Sequence, residues 1–244
     1  IGGGIGGMEC ALVLKQRGHT PVIFEKTGEL GGLFLTASAM SFKENDKELI
    51  EWYKKEVAKQ GIDIRFNTEV TDLGTMRGFD EIIVATGSVN AQPPIPGLKG
   101  DNVVVVNNYY KEKDKVGEDV VVFGGGLAGC ECAIHLGQEG KTVHIVEMRD
   151  ALAPDANVRH RPLLLKEVEK YATVHTGCRG LEVRPDGIWC EDKEGHQFLV
   201  PGKSVIAALG QRSCSDIVEE LQDGAPFVRI IGDAARVSTI TNAV

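Results

Sequence analysis

Cysteine is scarce in this chain and badly spaced for redox work. The six thiols, Cys10, Cys130, Cys132, Cys178, Cys190 and Cys214, form neither C-x-x-C nor C-x4-C, the spacings of redox-active dithiols. Cys130 and Cys132 stand two apart on an expected helix, so their side chains diverge by about 200°, which opposes both a disulfide and shared metal ligation. Single buried thiols are the reading, with no metal site in this segment. Also missing is any apolar run near the roughly 20 residues that span a bilayer, and no secretory signal is visible. Positive charge is in deficit: 27 Lys and Arg stand against 35 Asp and Glu, a net charge of −8 with pI near 5.3. That balance argues against nucleic acid and anionic membranes as partners and leaves the cytoplasm as the expected location. Hydrophobic residues at 42% and charged ones at 25% are those of an ordinary globular protein with room for two modest domains.

Glycine, by contrast, is abundant, and its arrangement repeats. Gly2-x-Gly4-x-x-Gly7 opens the chain, and Gly124-x-Gly126-x-x-Gly129 recurs 122 residues later. In such a loop the first glycine makes the tight turn out of a strand and the second lets a pyrophosphate approach the backbone. The third lets the following helix pack closely, with the phosphates at its N-terminus. The second copy shows the whole unit: strand Asp119 to Phe123, helix Leu127 to Glu139 stopped by Gly140, then strand Thr142 to Glu147. Glu147 at that strand's tip is placed to accept hydrogen bonds from a ribose diol. The first copy repeats the order with helix Met8 to Gln16, Gly18, strand Pro21 to Phe24, and Glu25. One such loop is a weak signal, but two with matching context indicate two dinucleotides bound on one chain.

The strand that should feed the first loop is almost wholly missing, because Ile1 directly precedes Gly2. The chain is therefore expected to be part of a longer polypeptide; it also breaks off abruptly over Thr239 to Val244. Between the loops, Asn45 to Gln60 reads as an amphipathic helix with Leu49, Ile50, Tyr53 and Val57 on one face. Ile62 to Phe66 and Asp80 to Val84 read as strands. The second runs into Ala85-Thr86-Gly87-Ser88 and the stiff Pro93-Pro94-Ile95-Pro96-Gly97, an expected crossing between domains. Ser204 to Gly210 is a comparable strand-to-glycine junction, and Phe227 to Ile231 leads into Gly232-Asp233-Ala234.

This ordered set resembles the two-dinucleotide-binding flavoproteins of the glutathione-reductase type. The resemblance implies an α/β fold of two Rossmann-like, three-layer domains, with the NAD(P) domain inserted in the FAD domain. The FAD-binding part is expected at 1–97 and 207–244, and the NAD(P)H-binding part at 98–206. It further implies that Gly2, Gly4 and Gly7 cradle the FAD pyrophosphate, that Glu25 binds the adenosine ribose, and that the backbone of Val70 meets the adenine. Ala85, Thr86 and Gly87 would lie near the cofactor at the crossing, with Gly232 and Asp233 at the ribityl chain. Gly124, Gly126, Gly129 and Glu147 would serve the nicotinamide nucleotide. More narrowly, Glu25-Lys26-x-x-Glu29-Leu30-Gly31-Gly32 without a redox cysteine pair is similar to the C-terminal region of the large old-yellow-enzyme relatives. These include 2,4-dienoyl-CoA reductase, 2-enoate reductase, bile-acid-modifying NADH oxidoreductases and trimethylamine dehydrogenase; Lys26 and Gly32 join the expected cofactor-binding set on that basis.

What the narrower resemblance implies is an electron inlet. NAD(P)H gives a hydride to FAD, and electrons then pass to FMN and a 4Fe–4S cluster in an N-terminal barrel of the same polypeptide, which reduces an activated C=C bond. No side-chain acid or base is required for the first half-reaction, so no catalytic residue is named. Glu147 favours NADH, whereas Arg149, two residues on, is well shaped for the 2′-phosphate of NADPH. Two other readings stand beside this one: an electron-input subunit similar to the glutamate synthase small subunit, and a non-catalytic module holding ADP as in trimethylamine dehydrogenase. Oligomeric state is left open. His135, His144, Trp52 and Tyr53 are expected to pack rather than react, and Arg159-His160-Arg161 to face solvent at the approach to a helix.

Overall fold

The computed structural model describes residues 1–221 and 224–240. It folds as two compact units, Ile1–Val89 with Gln211–Val244, and Asn90–Gly210. The sequence order β-loop-α-β thus produces two separate nucleotide-type units, one spliced into the other.

In the first unit, helix α1 (Ile5–Gln16) follows the glycine loop directly and leads to strand β1 (Val22–Phe24). Short helix α2 (Leu33–Ala37) precedes α3 (Glu44–Lys59), which carries Glu44 and Asp46 in its first turn and Lys59 in its last, each favourable to the helix dipole. Three i,i+3 pairs, Glu44–Lys47, Glu51–Lys54 and Glu56–Lys59, line its outer side. Its inner side packs Ile50, Tyr53 and Val57 with Met8 and Leu12 of α1 and Ile23 of β1. Tyr53 is therefore core, while its neighbour Trp52 stays exposed. Strand β2 (Asp63–Arg65) pairs in parallel with β1, and β3 (Glu81–Val84) leads to β4 (Ser88–Asn90).

The second unit opens with β5 (Val103–Val105) and short helix α4 (Tyr109–Glu112). Strand β6 (Asp119–Phe123) then leads through the second glycine loop into α5 (Leu127–Gln138), followed by β7 (Thr142–Glu147), α6 (Arg161–Tyr171) and β8 (Ala172–Thr176). Three antiparallel strands come next, β9 (Arg179–Arg184), β10 (Gly187–Glu191) and β11 (Gln197–Pro201), before β12 (Ser204–Ala207) returns to the main sheet. That sheet is wholly parallel in the order β5-β12-β6-β7-β8. Val120, Val121 and Val122 of β6 and Val205 and Ile206 of β12 are completely buried, as expected of central strands covered on both faces. Helix α5 packs on one face with α6 beside it. Val183, Ile188, Cys190 and Val200 of the antiparallel strands close the other against Val121, Phe123 and Val205. The result is three layers. Among the described residues no helix is long and apolar enough to cross a membrane.

The chain then re-enters the first unit through β13 (Gln211–Ser213), α7 (Ile217–Leu221) and β14 (Phe227–Ile230). β13 pairs with β4, so the outgoing and returning segments run together, and β14 pairs in parallel with β3. The first unit's strands thus form two-stranded halves, and Ile1 stands between them. Its carbonyl accepts from Ala85 N–H at 2.8 Å, and Gly2 N–H donates to Phe24 O at 2.8 Å. In the second unit β6 holds the corresponding place between β7 and β12.

The junctions expected at 97/98 and 206/207 fall inside the second unit. The proline-rich stretch is not a free linker: Ile95 and Leu98 pack into that unit's core, and Pro96 O accepts from Val183 N–H at 2.9 Å. Leu209 joins the same core, which carries the unit to Gly210.

Three histidines in the second unit give the fold a pH dependence. His135 is nearly buried, and the His144 and His175 rings stack across β7 and β8 with Nδ1 and Nε2 3.2 Å apart. Burial is the main cause holding all three imidazoles below their ordinary value of about 6.5, and His144 lowers His175 further. The unfolded chain therefore takes up these protons first as pH falls. Stability is full above about pH 6.5 and is lost as pH drops through the lowered folded values. We expect Tm to fall between about pH 7.5 and about pH 5.5, and the His144→Gln variant to lose less over that range. A pH-independent Tm contradicts this.

Candidate functional site

The two glycine loops repeat each other bond by bond. Gly3 N–H donates to Glu25 Oε2 at 2.7 Å, and Gly125 N–H donates to Glu147 Oε2 at 2.7 Å. The other carboxylate oxygen accepts a backbone N–H two residues on: Thr27 to Glu25 Oε1 and Arg149 to Glu147 Oε1, each at 2.8 Å. Gly31 N–H donates to Gly3 O as Ala153 N–H donates to Gly125 O, both at 2.8 Å. Both glutamates are buried at 6% exposure, and each of their carboxylate oxygens accepts a backbone N–H, which fixes the carboxylate in place beside its loop. Two lone pairs per oxygen leave each able to accept further hydrogen bonds.

The glycines of each loop do different jobs. A Cβ on Gly7 would stand 2.0 Å from Gly2 O, and one on Gly129 would stand 2.0 Å from Gly124 O, so only glycine permits these helices to approach their loops. Gly4 and Gly126 are the opposite case. Their backbones are extended, at φ −71° and −68°, which any residue adopts, and no protein atom lies within 4 Å of a Cβ there. Among the described residues nothing needs glycine at these two positions. A ligand lying against the backbone would.

The helix ends agree. Gly4 and Gly126 are the N-caps of α1 and α5; neither helix has a side-chain cap, and neither carries an acid in its first turn. Helix N-termini left in this state present unpaired N–H groups and a favourable dipole to an anion. The open cradle, the uncapped N-terminus and the fixed ribose-type acceptor together fit the pyrophosphate and adenosine ribose of a dinucleotide, twice.

The remaining expected residues take varied places. Gly32 stands against Gly4, where a Cβ would meet Gly4 Cα at 3.2 Å, so backbone lines the first cradle on two sides. Ala85 packs on the turn, its carbonyl 2.4 Å from where a Cβ on Gly2 would be. Thr86 Oγ1 donates to Cys214 O, and Gly87 O accepts from Cys214 N–H at 2.9 Å, tying the two crossing segments together. Asp233 follows Gly232, whose φ is +58°; its Oδ1 accepts from Ser238 N–H at 3.0 Å and its Oδ2 lies 3.3 Å from Ser88 Oγ. Val70 is buried among Phe24, Met76, Ile82 and Val84, and Lys26 is exposed away from these bonds. In the second loop, Arg149 Nη1 pairs with Asp155 Oδ2 at 2.9 Å, and Arg161 Nε donates to Leu152 O and Ala153 O at 3.0 and 3.1 Å. Arg161 is thus a loop brace, whereas Arg159 and His160 face solvent as expected.

Sequence reasoning passed over Gly3, Gly125, Thr27 and Ser88. The pairing of Gly3 and Gly125 with the glutamates was not legible in a motif that treats both as variable positions. Burial pushes the Cys130, Cys132 and Cys190 thiols up to about 12, and all six cysteines are free. Among the described residues one group brings metal-ligand types together, Asp192, Glu194 and His196, on the exposed β10–β11 turn.

A family model described as pyridine nucleotide-disulphide oxidoreductase matches residues 1–226. Cinnamate reductase of Clostridium sporogenes is 32% identical over 250 residues, covering 100% of this chain and 37% of that protein. NADH oxidase of Thermoanaerobacter brockii is 34% identical over 252 residues, covering 100% of this chain and 39% of its own length. Among solved structures, 2-naphthoyl-CoA reductase with 2-naphthoyl-CoA aligns at TM-score 0.91 and 27% identity, over 99% of this chain and 37% of that one. The chain therefore spans less than two fifths of the length of these relatives. The similarity to the C-terminal region of the large old-yellow-enzyme relatives, read from the motifs, is borne out.

Proposed function

The chain belongs to the pyridine nucleotide-disulphide oxidoreductase family, and from that premise we propose that it is the NADH-oxidising, FAD-binding portion of a larger reductase. The observation that carries the reading is the pair of glycines, Gly4 and Gly126, that the protein itself does not require.

In this reading the first unit holds FAD and the inserted unit holds the nicotinamide nucleotide. Gly2, Gly4 and Gly7 with the N-terminus of α1 receive the FAD pyrophosphate, and Glu25 the adenosine ribose. Gly32, Val70, Ala85, Thr86, Gly87, Gly232 and Asp233 line the rest, with Lys26 at the margin. Gly124, Gly126 and Gly129 with α5 receive the second pyrophosphate. Glu147, fixed by two backbone N–H groups, accepts from a free ribose diol and repels a 2′-phosphate, which selects NADH over NADPH. Bound in the first site, FAD supplies two-electron acceptance from a nicotinamide. The chain's own residues supply binding and orientation, and no side chain needs to exchange a proton.

The rest of the polypeptide is the outlet. Relatives more than twice as long as this chain, two of them named as reductases of cinnamate and 2-naphthoyl-CoA, support an N-terminal barrel with FMN and a 4Fe–4S cluster that reduces an activated C=C bond. Full-length protein is expected to release FAD on denaturation and to oxidise NADH in preference to NADPH. An adenine nucleotide released in place of FAD, or a strong NADPH preference, contradicts the respective assignment.

A further inference from the structure

The two loops diverge at the residue two beyond each glutamate. In the first, the Thr27 side chain folds back, its Oγ1 donating to Glu25 Oε1 at 2.8 Å. In the second the same position is Arg149, whose backbone keeps the equivalent bond while the side chain runs outward. Its Nη1 lies 2.9 Å from Asp155 Oδ2 and its Nε 3.6 Å from Glu147 Oε1, so carboxylates engage the guanidinium on two sides. Asp155 belongs to the loop between β7 and α6 and has no other role in the site.

An arginine beside a strand-tip glutamate is a group whose planar fork suits a phosphate. Two other cations nearby are committed, Arg161 to the Leu152 and Ala153 carbonyls and Lys193 to Asp150, while Arg159 faces solvent. We infer that Asp155 is a positioning residue for nucleotide selectivity: by engaging Arg149 it withholds that guanidinium from a ribose 2′-phosphate. Glu147 rejects the phosphate by charge, and Asp155 removes the cation that would compensate. The inference rests on the second loop being the nicotinamide-nucleotide site. Because the Arg149–Asp155 pair is exposed, the effect is several-fold rather than absolute.

The test is calorimetric and needs no turnover: full-length protein is titrated with ADP-ribose and with its 2′-phosphate. Wild type is expected to favour ADP-ribose. Asp155→Asn is expected to strengthen binding of the 2′-phosphate about fivefold while ADP-ribose changes less than about twofold. Asp155→Glu keeps the wild-type ratio, and adding Arg149→Gln to Asp155→Asn abolishes the gain. A ratio unchanged by Asp155→Asn, or a gain that survives without Arg149, overturns the inference. Wild-type protein that binds neither compound overturns instead the assignment of the second site beneath it.

Discussion

Gly126→Ala is expected to weaken NADH binding by about a hundredfold while leaving the protein folded. The methyl projects into the space over the N-terminus of α5, where the proposed site would bring the pyrophosphate against backbone N–H groups. Losing two charge-assisted hydrogen bonds there amounts to about 3 kcal/mol, or roughly a hundredfold. The protein itself is indifferent: Gly126 is extended, and a Cβ would meet no protein atom within 4 Å. Replacing glycine by alanine at an N-cap costs at most about 1 kcal/mol, so Tm shifts by no more than about 4 °C. Gly4→Ala is the matching change in the first loop and acts on FAD. Calorimetry of NADH binding, with Tm measured on the same sample, checks the claim. Tight binding by the folded variant would mean that the open space over Gly126 is not the cradle.

Gly129→Ala, three residues further on, is expected to do the reverse and damage the fold first. Its Cβ would stand 2.0 Å from Gly124 O and 3.3 Å from the Ala208 side chain, and neither the loop nor the central strands can yield cheaply. Helix α5 must move by more than an ångström away from a sheet in which Val120, Val121 and Val122 are fully buried. Overpacking of this kind costs about 3 kcal/mol or more, a Tm loss on the order of 6–12 °C for a chain of this size. Gly7→Ala has the same geometry in the first unit, with Gly2 O at 2.0 Å. Thermal unfolding followed by circular dichroism separates the two classes of glycine. A Gly129→Ala protein as stable as wild type would contradict the close approach.

These contrasts mark where the sequence could and could not be read. Strands β6 and β7 stand where the runs Asp119 to Phe123 and Thr142 to Glu147 put them, because continuous β-branched residues between turn glycines leave little choice. Helix α1 begins at Ile5 rather than Met8: Gly6 and Gly7 are poor helix formers, and tertiary packing against the loop overrides their propensity. The β9–β11 strands went unread although Pro185-Asp186-Gly187 marks a turn between two of them. Their burial pattern is uneven, so alternation is weak. The three-residue strands β4 and β13 carry no periodic signal at all, and only the fold pairs them. In the site, the 22-residue spacing from loop to glutamate was visible, but not that each carboxylate turns back onto Gly3 or Gly125. Arg149 read as an open cation because its partner Asp155 lies across a loop whose path the sequence does not define.

The first loop and the second are thus alike in backbone and different at the residue two beyond each glutamate. Thr27 closes one carboxylate from the side, and Arg149 leaves the other facing a charged loop. An inlet that takes NADH and loads FAD needs both cradles to be occupied independently. The measurement that bears most directly on this is anaerobic addition of NADH to the full-length protein, followed through the visible flavin absorption. Wild type is predicted to bleach on NADH. Gly126→Ala is predicted to keep its FAD and bleach with a chemical reductant, but to bleach about tenfold more slowly than wild type with NADH at concentrations about ten times the wild-type Kd. A wild-type protein without FAD, or one whose flavin both NADH and NADPH leave oxidised, would contradict the account.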